Sequence, residues 1–222
     1  MLQAVIFDYD GTLVDTETLL EKANDAVCRQ FGVPYDSAAF RSRVMAHPDP
    51  EYTTTLKEVC RLPGSVDEVI AARREAYRHV ETEMGLNPKP GADALVRQLH
   101  DEGYKLAIAT SSGRAHVERD LERIGWNDLF DDIVDYTDVA HPKPAPDIYR
   151  EAARRLRCED GSCVAIDDSP AGVASAKDAG LIVIGLLDRR YVHELPDADL
   201  VVESLEEVSV GDLEAMVGGD ES

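Results

Sequence analysis

FDYDGTLVDT, residues 7–16, is the stretch whose reading decides the fold. A short apolar run from Leu2 to Phe7 leads directly into two carboxylates one residue apart, Asp8 and Asp10, followed by Gly11 and Thr12. At a strand end, the i, i+2 spacing aims both carboxylates at the same region, and Gly11 permits a tight backbone path. Two such groups repel unless something positive lies between them. By itself the pair is ambiguous, because acidic residues also cap helices and fill solvated turns.

Further along the chain, short apolar runs recur at Leu106–Ala109, Val164–Ile166, Ile182–Leu186 and Leu200–Val202, joining Ala4–Phe7. Helical spacing separates them, as in Leu95 and Leu99 or Val117, Leu121 and Ile124, and Gly103, Gly125 and Gly180 punctuate the helix ends. Strands alternating with helices imply a parallel α/β sheet, whose ligands bind beyond the carboxyl ends of the strands. Polar residues stand at those ends: Asp8 and Asp10 after the first run, Thr110, Ser111 and Ser112 after the second, Asp167 and Asp168 after the third. Lys143 lies in HPKPAPD, just ahead of another helix.

Three or four carboxylates converging on one edge call for a hard, oxygen-seeking cation such as Mg2+. Adding a lysine, hydroxyls and backbone N–H donors makes a site for a phosphoryl group, so a phosphate ester is the expected substrate.

Residues 16–85 break the alternation. Leu19, Leu20, Ala23 and Val27, then Val66, Val69, Ile70, Tyr77 and Val80, follow helical spacing with no clear strand, and Asn87, Pro88, Pro90 and Gly91 mark the return to the core. The expected organisation is a core of residues 1–15 and 86–222 with an inserted helical domain at 16–85, and a frayed tail from Gly218 to Ser222. There is no run of about 18 apolar residues and no basic leader, so neither a membrane span nor a signal peptide is expected and a cytoplasmic location is the default. Cys28, Cys60, Cys158 and Cys163 show no zinc spacing and are expected to be reduced and mostly buried.

The formal charge is −21, from 44 acidic and 23 basic residues. Such a surface repels nucleic acid and anionic membranes. It also repels itself in dilute buffer, whereas molar salt shortens the screening length to about 3 Å, so a salt-adapted protein is expected.

Together FDYDGTLVDT, IATSS, Lys143 of HPKPAPD and AIDDSPAGVASAKDAG resemble the four motifs of the haloacid dehalogenase superfamily, and the resemblance covers nearly the whole chain. The insertion between the first two motifs is similar to the subgroup of phosphoglycolate phosphatases and β-phosphoglucomutases. The resemblance implies a Rossmann-like α/β core with an α-helical cap. It implies Asp8 as nucleophile, forming an aspartyl-phosphate, and Asp10 as general acid and base. Thr110, with Ser111 beside it, would bind the phosphoryl group, and Lys143 would offset charge between Asp8 and phosphate. Mg2+ would be held by Asp8, the Asp10 carbonyl and Asp168, with Asp167 as a ligand or a supporting group. The acid at position 10 sets the chain apart from the dehalogenases and phosphonatases of the superfamily.

The implied activity is therefore a Mg2+-dependent phosphatase for a small phosphorylated metabolite, a sugar phosphate or a phosphoglycolate-like acid. A phosphosugar mutase is the alternative, and a non-catalytic binding protein a third. Against the mutase, Leu20 stands where β-phosphoglucomutases carry a histidine, and Pro48 and Asp49 where they carry a phosphate-gripping arginine. Arg41, Arg43, Arg73 and Arg74 read as solvated ion pairs, His47 and His79 as surface or packing residues, and Trp126, Phe130 and Tyr149 as packing. No oligomer interface is marked.

Overall fold

The computed structural model describes residues 1–41, 51–159, 161–191 and 194–219. In chain order the elements are β1 (Ala4–Phe7), α1 (Thr16–Gln30), α2 (Ser37–Arg41), α3 (Glu51–Cys60), α4 (Val66–Met84), α5 (Ala92–Asp101), β2 (Lys105–Ala109), α6 (Arg114–Ile124), β3 (Asp132–Val134), α7 (Asp147–Leu156), β4 (Cys163–Asp167), α8 (Pro170–Asp178), β5 (Ile182–Leu186), β6 (Leu200–Val202) and α9 (Val210–Gly218). The chain divides into two compact units, Met1–Asp15 with Asn87–Ser222, and Thr16–Leu86. Leu86 thus falls in the helical unit.

In the first unit, six parallel strands lie in the order β3-β2-β1-β4-β5-β6. β1 is apolar throughout, as are β2 after Lys105 and β4 before Asp167, because helices cover both faces of such a sheet, and every residue of β1 and β4 is buried. α5 turns Ala92, Leu95, Val96 and Leu99 inward at helical spacing, and α6 ends in the left-handed Gly125. The chain starts at β1 and extends the sheet to either side, so the crevice at the switch of strand order opens beyond β1. β3, in the acid-rich FDDIVDY, is a strand that the apolar runs did not announce.

The helical unit packs Val27, Cys28, Phe40, Leu56, Cys60, Leu62 and Val69 into its own core. Ser65 and Glu68 close a capping box at the start of α4. Among the described residues no helix is long and apolar enough to cross a membrane.

Several expectations need correction. Cys158 and Cys163 are joined in a disulfide, because left-handed Arg157 ends α7 and turns the chain back toward β4; Cys28 and Cys60 are free and buried. Arg73 is no solvated arginine: it is buried, its guanidinium 4.5 Å from the centre of the Tyr52 ring. Arg41 does form an ion pair, with Glu21 at 2.7 Å, but in a half-buried setting, whereas His79 is exposed beside Glu83, a surface residue as expected. Arg43, His47, Pro48 and Asp49 lie outside the described residues, as do the last three residues of the tail.

Candidate active site

The carboxyl end of β1 is fixed before any side chain is considered. The Asp8 amide donates to the Ile166 carbonyl of β4 at 2.9 Å, and the Thr110 amide to Val134 of β3 at 2.9 Å, so three loops leave the sheet in register. Gly11, at φ 82°, turns the chain so that its amide reaches the Val14 carbonyl. A side chain there would put Cβ 2.4 Å from Asp168 Oδ2. Asp168 therefore packs directly against the backbone that follows Asp10, and Thr12 Oγ1 donates to its Oδ1 at 3.1 Å.

Lys143 is the centre of the site's charge. Its ammonium reaches Asp8 Oδ1 at 2.6 Å and Asp167 Oδ2 at 2.8 Å, with all three side chains nearly or wholly buried. The Tyr149 hydroxyl also donates to Asp167 Oδ2, at 2.6 Å, and the Ser169 amide and hydroxyl donate to Asp167 Oδ1 at 2.9 and 2.8 Å. Asp167 thus accepts four hydrogen bonds across both oxygens and is saturated by its neighbours. That occupancy favours the supporting role over the ligand role for Asp167. A Cβ on Gly172 would fall 1.9 Å from this carboxylate, so the first turn of α8 closes over it.

Burial raises the Asp8 carboxyl to about 8, with Lys143 pulling the other way and Asp167 and Asp10 adding repulsion. Burial works against the Lys143 ammonium, yet the carboxylates of Asp167 and Asp8 outweigh it and hold lysine above its ordinary range. Desolvation also drives the Tyr149 hydroxyl well above the usual tyrosine range, so it stays a proton donor. One ammonium is shared between two carboxylates, and further positive charge on Asp8's side would favour its ionised form.

Asp10 is half-buried, and the Ser112 hydroxyl donates to its Oδ2 at 2.6 Å. Thr110 is fully buried and its oxygen accepts the Ser112 amide at 2.9 Å, whereas Ser111 is exposed. The structure therefore joins Asp8, Lys143 and Asp167 directly, ties Asp10 to the β2 loop through Ser112, and sets Asp168 against Gly11 and Thr12. Sequence reasoning missed Tyr149, Ser112 and Thr12 as working members. Ser112 and Thr12 carried a signal, their places beyond apolar strands; Tyr149 looks like any aromatic on the buried face of a helix.

The model of the haloacid dehalogenase-like hydrolase family matches residues 5–186. The chain is 33% identical over 204 residues to a bifunctional riboflavin kinase/FMN phosphatase from Arabidopsis thaliana, a match that takes in 90% of this chain but 53% of that protein, about half its length. It is 32% identical over 205 residues to a phosphorylated carbohydrates phosphatase from Thermotoga maritima, covering 91% of each. It is 29% identical over 218 residues to a β-phosphoglucomutase from Bacillus subtilis, covering 94% of this chain and 92% of the other. Among solved structures, CbbY from Rhodobacter sphaeroides in complex with xylulose-(1,5)bisphosphate superposes with a TM-score of 0.76 at 28% identity, covering 96% and 99% of the two chains.

Proposed function

Because the chain belongs to the haloacid dehalogenase-like hydrolases, we propose that it is a Mg2+-dependent phosphatase that hydrolyses a small phosphorylated metabolite of the sugar-phosphate class through an aspartyl-phosphate. The observation that carries this reading is the Lys143 ammonium between Asp8 and Asp167, with Asp10 two residues beyond Asp8. Lys143 holds one oxygen of Asp8, orients the carboxylate for attack on phosphorus, and offsets the charge gathering there. Asp167 in turn holds Lys143.

Asp10 protonates the leaving oxygen in the first half-reaction and takes a proton from water in the second, help worth about 10^2 to 10^4 in rate. Ser112 fixes the Asp10 carboxyl for both steps. Thr110, with Ser111 at the exposed lip, binds phosphoryl oxygens. Hard oxygens of Asp8, the Asp10 carbonyl and Asp168 fit Mg2+, and the close approach of Asp168 to Gly11 supports that set. The set has two carboxylates and one carbonyl, and Mg2+ characteristically completes its six oxygens with waters and a substrate oxygen. When bound, Mg2+ supplies charge neutralisation of the phosphoryl group.

The test is inorganic phosphate release from a panel of phosphorylated sugars and small acids, with Mg2+ in high KCl. Release should fall by more than about 10^3 in Asp8→Asn. No release from any ester by the wild type would sink the proposal. The similarity to a β-phosphoglucomutase keeps a mutase as the second reading, although Leu20, Pro48 and Asp49 depart from what a mutase carries. Isomerisation of a sugar phosphate that requires a bisphosphate activator would favour it. Ligand binding by the wild type without any turnover would point instead to a binding protein.

A further inference from the structure

Tyr9 stands between Asp8 and Asp10, in the bend that follows β1. Its ring is fully buried and its hydroxyl donates to Asp120 Oδ2 at 3.2 Å, across 111 residues of chain. Asp120, in the middle of α6, is itself fully buried. A carboxylate in that position is costly unless compensated. Its surroundings supply the compensation: His116 Nε2 lies 3.3 Å from Oδ2, and Arg119 and Arg123 lie 3.5 and 3.6 Å from Oδ1.

The other end of Tyr9 is equally fixed, since its carbonyl accepts the amides of Leu13 at 3.0 Å and Val14 at 3.2 Å. Filling space would need only a phenyl ring and a neutral helix residue. A hydroxyl aimed at a compensated carboxylate adds direction instead. α6 begins just after Thr110–Ser112, so the helix that follows the second polar loop also holds the first.

We propose that Tyr9 and Asp120 are positioning residues for phosphoryl transfer, their buried hydrogen bond fixing the backbone from which Asp8 and Asp10 project. The inference rests on the roles proposed above for those two aspartates. A displacement of about 1 Å in a reacting group costs up to about a hundredfold in rate, so the link should show in turnover more than in binding.

The experiment measures kcat, KM and thermal midpoint for Tyr9→Phe, Asp120→Ala, Asp120→Asn and the double variants, all assayed well below their midpoints. Tyr9→Phe and Asp120→Ala should each lower kcat by about tenfold or more while KM stays within about twofold. Asp120→Asn, which keeps an oxygen for the hydroxyl, should lose less than Asp120→Ala. The Tyr9→Phe/Asp120→Ala double should be no worse than the worse single. If Asp120→Ala does not fold, Asp120→Asn added to Tyr9→Phe should cost nothing further.

A Tyr9→Phe enzyme with wild-type kcat, losses that multiply in the doubles, or Asp120→Asn as impaired as Asp120→Ala would each overturn the positioning role. Asp8→Asn is run alongside. Turnover surviving in that variant overturns the reading of the site itself, whereas an inactive Asp8→Asn beside an unimpaired Tyr9→Phe overturns this inference alone.

Discussion

Lys143 in the α/β unit and Arg78 in the helical unit are both cations in contact with carboxylates, and they hold those contacts for different reasons. The Lys143 side chain is 7% exposed and touches Asp8 and Asp167, whose side chains are 11% and 0% exposed. Arg78 meets Glu75 at 2.5 Å with both side chains 70% exposed, so water can replace either partner. The first arrangement is obligatory because an uncompensated buried charge is costly; the second is optional. Chemistry can be read from residues of the first kind, because removing a partner has a defined consequence.

The largest effect should come from Lys143→Ala. Leaving Asp8 and Asp167 buried without their cation should lower stability by about 3–5 kcal/mol and abolish turnover, measured by denaturant unfolding and phosphate release. A variant as stable as wild type would break the comparison at its strong end.

Asp188 tests the middle. It is nearly buried, with Lys89 at 3.3 Å and Arg190 Nε at 2.9–3.0 Å from its oxygens. Burial would raise its carboxyl, but the hydrogen bonds from Arg190 and the charge of Lys89 prevail and hold it well below the usual carboxylate range. Because the folded pKa is the lower one, its stabilisation is complete above the unfolded value of 3.8 and is lost as pH falls through the folded value. Asp188→Asn should therefore cost about 2 kcal/mol at neutral pH, and its gap to wild type should begin to narrow below about pH 4 and shrink progressively in stronger acid. A gap that persists in acid would mean that shape, not charge, sets the cost.

Salt separates the two kinds of charge. The melting temperature should rise as KCl goes from millimolar to molar, since the net charge of −21 repels itself. The penalty of Lys143→Ala should persist in that salt. The smallest effect belongs to Arg78→Ala, whose melting temperature should stay within about one degree of wild type.

Most of the α/β unit was legible because its strands are short apolar runs that end in chemistry. β3 was not: three residues between aspartates offer too little pattern, and the strand forms because Ala107–Ala109 of β2 presents an edge to Asp132–Val134. Asp167 and Asp168 look alike in sequence; what separates them is that α8 and Tyr149 close over one while the other meets Gly11. Tyr9 and Asp120 lie far apart in the chain, and no local spacing links them. The helical unit was legible as helices and little more, since arginines such as Arg73 take their role from packing against Tyr52, a neighbour that sequence alone does not identify.

The strand order also dictates when the site can exist during synthesis. β1 is made first, yet its two neighbours are β2, about a hundred residues later, and β4, which ends at Asp167. The helical unit lies wholly between them in the chain and has its own core. A nascent chain that has finished this unit still lacks both partners of β1, and Asp8 has neither Lys143 nor the Ile166 carbonyl to hold it. Emergence of the first aspartate from the ribosome and the assembly of its surroundings are thus separated by the synthesis of about 160 residues, roughly ten seconds or more at ordinary elongation rates.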